Sequence, residues 1–223
     1  MSILSKIKSF FIPKVTYVPE QVAQFSKVSY MQFKSDFRKT FNVRIREDEL
    51  KKIYNEIKIP ERGTNLSAGY DFFIPFGINL AEGESIVIPT GIRCKCQPDF
   101  FLGIFPRSGL GFKHRTMLAN TVGIIDADYY TADNEGHIMI KLVHQGFVYK
   151  TGEYTIERFS SSDDIEDEDL YIQGWKSDKP YLDNLVIKKG EKFAQGIFMP
   201  YGIVFDEESP NKERKGGFGS TDK

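Results

Sequence analysis

Cysteine is nearly absent from this chain, and the two that occur in its 223 residues, Cys94 and Cys96, exclude a disulfide framework. They stand two apart in Gly91-Ile92-Arg93-Cys94-Lys95-Cys96, a strand-like run, so their side chains point the same way and are poorly placed to bridge each other. A reducing, cytoplasmic compartment is the simplest reading. No second cysteine pair exists, and the three histidines (His114, His137, His144) show no recognised ligand spacing, so a zinc site has no support. An excess of one charge sign is missing too: 30 basic against 31 acidic residues leave a net charge of −1. A near-neutral field draws neither nucleic acid nor a membrane surface, so basic residues must act locally. Long apolar runs are also lacking. The stretch Met1 to Ile12 is interrupted by Lys6 and Lys8 and stopped by Pro13, which leaves no signal-peptide core and no membrane span.

What is there suffices for one sizeable core with additions. Residues 1–58 differ from the rest, and their clearest element is the amphipathic helix expected over 46–57, with Leu50, Ile53, Tyr54 and Ile57 on one face. From Pro60 onward the rhythm is one of short β-type runs between turn residues, expected over 70–76, 85–88, 91–96, 100–105, 137–143, 185–187, 193–199 and 203–205. Many short strands with Gly and Pro punctuation indicate an all-β sandwich or barrel. The segment 146–182 is polar and carries the acidic run Asp163 to Asp169; it reads as a solvated excursion. The expected organisation is therefore an N-terminal extension (1–58), a β domain (59–212) with an acidic insertion at 146–182, and a flexible C-terminal arm (213–223).

Three stretches carry chemistry. In Thr116 to Tyr129 an apolar strand is broken by Gly123 and ends in two carboxylates, Asp126 and Asp128, which alternation puts on one side of a strand. An Asx-rich turn closing a hairpin explains that pair equally well. In Phe105 to Phe112 a strand stops at Pro106 and a helix is expected to begin near Ser108, an N-cap residue type. Arg107, Ser108 and the free N–H groups that follow make an anion site. In Arg214 to Lys223 three glycines surround Phe218, followed by Ser220 and Thr221. Glycine permits close backbone approach to a ligand, hydroxyls and backbone N–H groups meet phosphate oxygens, and Phe218 offers a flat face to a base.

Together with Ala68-Gly69-Tyr70-Asp71 and Lys192-Phe193-Ala194-Gln195, these stretches form an ordered set of five motifs that resembles the deoxyuridine triphosphatase (dUTPase) family. The second is Pro106-Arg107-Ser108-Gly109-Leu110, the third runs from Asn120 through Gly123 and Ile125-Asp126 to Tyr129, and the fifth is Gly216-Gly217-Phe218-Gly219-Ser220-Thr221. The resemblance implies a jelly-roll-like β sandwich assembled as a homotrimer with shared active sites, and hydrolysis of dUTP to dUMP and pyrophosphate, which limits uracil in DNA. By the same resemblance Asp126 is the general base for water attack at the α-phosphorus. Tyr129 lies under the deoxyribose, and Asn120 with backbone around Gly123 and Ile125 reads uracil. Arg107, Ser108, Gly109 and Gln195 meet phosphates, as do Arg214 (or Lys215), Gly219, Ser220 and Thr221. Phe218 closes over the base, and Asp71 orients waters of a Mg2+ ion from its second shell. The chain departs from the minimal family pattern in a shorter approach to the fifth motif, in the inserted Tyr130 to Glu135, and in its extension and acidic insertion, which resemble those of bacteriophage and Gram-positive bacterial relatives. The alternatives are a dCTP deaminase, including a bifunctional one, and a regulatory nucleotide-binding protein acting on a protein partner through residues 146–182.

Overall fold

In the computed structural model, residues 20–145, 171–173, 184–207 and 216 are described. Thirteen strands dominate these residues. The chain opens with β1 (Ala23–Lys27), then two helices, α1 (Tyr30–Phe41) and α2 (Glu47–Glu56). There follow β2 (Glu61–Arg62), β3 (Tyr70–Phe73), β4 (Gly77–Leu80), β5 (Ser85–Pro89), β6 (Ile92–Cys96) and β7 (Phe100–Pro106). The short helix α3 (Ser108–His114) leads to β8 (Thr116–Leu118), β9 (Gly123–Ile125), a 3-10 helix (Ala127–Thr131) and β10 (Met139–His144). β11 (Tyr171–Gln173), β12 (Leu185–Ile187) and β13 (Lys192–Pro200) complete the set.

The largest sheet has the order β2-β3-β13-β7-β9 and is antiparallel throughout. β13 is its spine, running from Ala194 opposite Pro106 to Pro200 opposite Phe100 along β7, with a register shift between Lys192 and Ala194 against β3. Three smaller sheets, β1-β6, β5-β10-β8 and β11-β4-β12, surround it. Apolar residues alternate into one core: Phe72, Ile74, Phe76, Ile78, Leu80, Ile88, Leu102, Ile104 and Phe193 are all buried in a single cluster. Period-two alternation is what a half-buried strand needs, so the pattern and the fold agree.

The helix expected over 46–57 is α2, capped by Arg46 and Ile57 and burying Leu50 and Ile53. α1 was not expected. Its signals are Ser29, whose hydroxyl accepts the Gln32 N–H as an N-cap, and aromatics at 30, 33, 37 and 41. Phe33 and Phe37 enter the same core as the strands, and Phe37 and Phe41 both meet Phe76 edge-on at centroid separations of 5.6 and 5.5 Å. β1 lies at the edge of β6, so residues before 58 supply a strand as well as helices. The run expected over 70–76 ends at Phe73, short of Pro75, which has no N–H for a ladder, and β4 beyond it was not expected. Residues 203–205 are not a strand: among the described residues no strand pairs with them, and all three side chains are exposed. No helix among the described residues is long and apolar enough to cross a membrane.

Candidate active site

β7 carries the site, with one group of residues on its β13 flank and another on its β9 flank. On the β13 flank Asp71 of β3 stands opposite Gln195 of β13, and Gln195 stands opposite Phe105 of β7, so pairing alone brings the first, second and fourth motifs together. The Asp71 carboxylate is buried and takes two cations: Arg107 Nε at 3.3 Å and Lys192 Nζ at 2.8 Å. Both cationic heads remain partly open to solvent, so one carboxylate and two cations leave this flank with a surplus positive charge facing outward. The Gln195 amide donates to the Pro106 carbonyl at 3.2 Å, and a Cβ at Gly69 would approach Gln195 Oε1 to 2.9 Å. Glycine there lets the β3 backbone pass under the amide.

Arg107, not Ser108, is the N-cap residue of α3, and it makes no side-chain cap bond; Ser108 occupies the first helical position and Gly109 the second. The helix begins at Ser108 as expected, and the extended Arg107 joins it directly to β7, which runs through Pro106. The first-turn N–H groups that follow Arg107, those of Ser108 and Gly109, have no partner within the helix.

On the β9 flank lies a cavity of about 180 Å³ lined by Ile104, Asn120, Gly123, Ile125 and Tyr129, among others. Asn120 sits in the tight turn between β8 and β9, where Thr121 has a φ of 63° and the Val122 N–H donates to the Asn120 carbonyl at 2.6 Å. A Cβ on Gly123 would lie 3.3 Å from Ile104 Cβ, a tight approach, and 3.7 Å from Asn120 Nδ2, an ordinary contact, so the missing side chain eases the close pairing of β9 with β7. Tyr129 is buried in the 3-10 helix; its hydroxyl donates to the His137 carbonyl at 2.9 Å and accepts from Asn134 Nδ2 at 2.8 Å.

Asp126 and Asp128 do not share a strand. β9 stops at Ile125, Asp126 caps the 3-10 helix and Asp128 lies within it, so helical rather than alternating geometry governs the pair. Ile125 lines the cavity, while Asp126 lines a separate open groove with Lys95, Cys96 and Tyr201. Burial pushes the Cys96 thiol up, and the Asp126 and Asp99 carboxylates push it further. Both cysteines are free, and burial raises Cys94 strongly.

Sequence reasoning missed Lys192 as a partner of Asp71, although it lies in the fourth motif, and it missed the support behind Tyr129. Arg214, Lys215, Phe218, Gly219, Ser220, Thr221 and the insertion 146–182 lie outside the described residues, apart from the strand Tyr171–Gln173.

Residues 55–153 match the family model described as dUTPase. The deoxyuridine 5'-triphosphate nucleotidohydrolase of Lactococcus lactis is 35% identical over 167 residues, covering 74% of this chain and 88% of that protein. This chain belongs to the dUTPase family. The dUTPase relative from Tolumonas auensis is 32% identical over 178 residues, covering 76% of this chain and 91% of its own. A solved Staphylococcus bacteriophage 80alpha dUTPase mutant with dUpNHpp shares the fold, with a TM-score of 0.50 at 19% identity, covering 87% of this chain and 99% of that one. The strand-rich jelly-roll architecture is thus the dUTPase fold, here with helices α1 and α2 inserted between β1 and β2.

Proposed function

We infer that this dUTPase cleaves dUTP to dUMP and pyrophosphate, with Asp126 as the general base for in-line water attack at the α-phosphorus. The observation that carries this reading is a cavity lined by Asn120, Gly123, Ile125 and Tyr129, with Asp126 directly following Ile125 in the chain. A small enclosed wall of one amide and apolar side chains suits a pyrimidine: the wrong base would leave the Asn120 donor and acceptor unpaired, and a methyl substituent would find no room. Tyr129, fixed at its hydroxyl, closes the wall where a 2′-hydroxyl would need space. All the relatives cited here are named as dUTP nucleotidohydrolases or dUTPases, and nothing favours a dCTP deaminase.

The β13 flank is read as the triphosphate site. Arg107, Ser108, Gly109 and Gln195 offer charge, a hydroxyl, backbone N–H groups and an amide to phosphate oxygens. Because that flank and the cavity lie on opposite sides of β7, one protomer's phosphate group completes another's base pocket, which supports a homotrimer with shared sites. The arm 213–223, through Arg214, Phe218, Gly219, Ser220 and Thr221, is read as the lid over the base and the outer phosphates.

Mg2+ fits as an ion held by the substrate. Among the described residues no group of three or more His, Cys, Asp or Glu could hold a metal, whereas Mg2+ keeps several waters and needs few carboxylates when phosphates bind it. Asp71, already tied to Arg107 and Lys192, would reach it only through water. When bound, the ion would supply positive charge against the phosphates. Asp126→Asn is the test. It is expected to lower kcat by about 10²–10⁴-fold while dUTP binding measured by calorimetry persists; turnover at the wild-type rate would remove Asp126 as the base.

A further inference from the structure

We propose that Asp36, on helix α1 of the amino-terminal extension, is a positioning residue for sugar selection, acting through His137 on Tyr129. The inference rests on the reading of Tyr129 as the wall that excludes ribose. The Tyr129 hydroxyl is tied to the turn 134–137. It donates to the carbonyl of His137 and accepts from Asn134, so its position is set by the turn 134–137. That turn is internally bonded, with the His137 N–H to the Asn134 carbonyl at 3.1 Å and the Gly136 N–H to Asn134 Oδ1 at 3.2 Å.

The turn is in its own right anchored to α1 at two points. The Ser29 N–H and hydroxyl donate to the two Glu135 carboxylate oxygens at 2.7 and 2.6 Å. The fully buried His137 ring is fixed at both nitrogens: Nε2 accepts from the Gly91 N–H at 2.8 Å, so the proton sits on Nδ1 and is donated to Asp36 Oδ2 at 2.6 Å. Asp36 is steadied in turn by Gln32 Nε2 at 2.8 Å, one helical turn back. Ser29 and Asp36 are seven residues apart, two turns of one helix face, and they match Glu135 and His137 on either side of Gly136. Arg93 completes the far side, donating to the Tyr130 carbonyl at 2.6 Å and stacking over the Tyr130 ring. Two departures from the minimal family pattern, the inserted Tyr130 to Glu135 and the helical extension, therefore meet at the back of the sugar wall. A wall braced at one remove by α1 holds its ring against a 2′-hydroxyl; without the brace the turn and the ring can yield, and ribose enters.

The experiment is steady-state hydrolysis of dUTP and UTP by full-length wild type, Asp36→Ala, Asp36→Asn and Tyr129→Ala, read as the ratio of kcat/KM for the two substrates. That ratio is blind to the fraction of folded enzyme, which cancels. Asp36→Ala is expected to lower the dUTP preference about tenfold, the scale of one lost charge-assisted hydrogen bond. Asp36→Asn, which still accepts from His137, is expected to restore most of it. If Asp36→Ala does not fold, Glu135→Ala removes the other anchor at a more exposed position, with an expected fall of about threefold. A reduced ratio in Tyr129→Ala with an unchanged one in the anchor variant overturns the role of Asp36 alone. An unchanged ratio in Tyr129→Ala overturns the reading of the sugar wall, and the inference falls with it.

Discussion

Single residues set the sharpest constraints on the site. Gly136 has a φ of 68°, and a Cβ there would lie 2.6 Å from the Tyr129 carbonyl oxygen and 2.8 Å from Tyr130 Cα. Gly83 has a φ of 82°, yet a Cβ there meets nothing within 4 Å. Gly83→Ala is therefore expected to cost only the left-handed strain of about 1 kcal/mol, whereas Gly136→Ala adds a backbone clash and is expected to exceed about 2 kcal/mol. Urea unfolding of the two variants checks this, and equal losses would mean that the turn 134–137 yields freely. At this scale much was legible in the sequence. Asn120, Gly123 and Tyr129 line one cavity as their motif suggested, because the pairing of β9 with β7 fixes their neighbourhood. Lys192 was not legible as a partner of Asp71, since nothing in a linear chain shows which lysine a distant carboxylate will meet.

Elements add a pH dependence. Burial pushes the Asp36 carboxyl up, but hydrogen bonds from His137 and Gln32 and the nearby charge of Lys39 outweigh it and hold the group below its ordinary value. Glu135 behaves alike: burial raises it, and the two Ser29 hydrogen bonds with Arg93 bring it down. A carboxyl depressed in the folded state stabilises fully above its unfolded value, about 4, and that contribution is lost as pH falls through the folded value. The melting temperature of Asp36→Asn should accordingly lie below wild type at pH 7, with a gap that closes as pH drops below about 4. A gap constant from pH 7 to 3 would refute the assignment. α2 was legible from its apolar stripe, and α1 was passed over although Ser29 and four aromatics marked it, because its aromatics also suit a strand. Ile203 to Phe205 gave the opposite error, a β-type run with no strand beside it among the described residues.

At the scale of the whole molecule, the described residues include exposed apolar side chains. Ile203, Val204 and Phe205 follow β13 at 74%, 73% and 99% exposure, and Ile124 of β9 is 51% exposed. Such residues in water cost what their burial would return, roughly 25 cal/mol per Å². We propose that neighbouring chains of the homotrimer cover them. Sedimentation velocity is expected to give a particle of three chains, and Ile203→Asp combined with Phe205→Asp to lower both assembly and turnover. A fully active monomer would refute shared sites.

Sequence alone determined the family, the strand-rich class and the roster of motif residues, because residue type and order along the chain carry those properties. It also determined the reduced cysteines, which stand too close along one strand to bridge. Tertiary structure decided the rest. It turned Asp126 from a strand residue into the cap of a 3-10 helix, divided the motifs between the two flanks of β7, paired Asp71 with both Arg107 and Lys192, and set α1 behind Tyr129. The physical reason is the same in each case. Those relations join residues far apart in the chain, and only the packing of one core brings their hydrogen bonds and charges within reach.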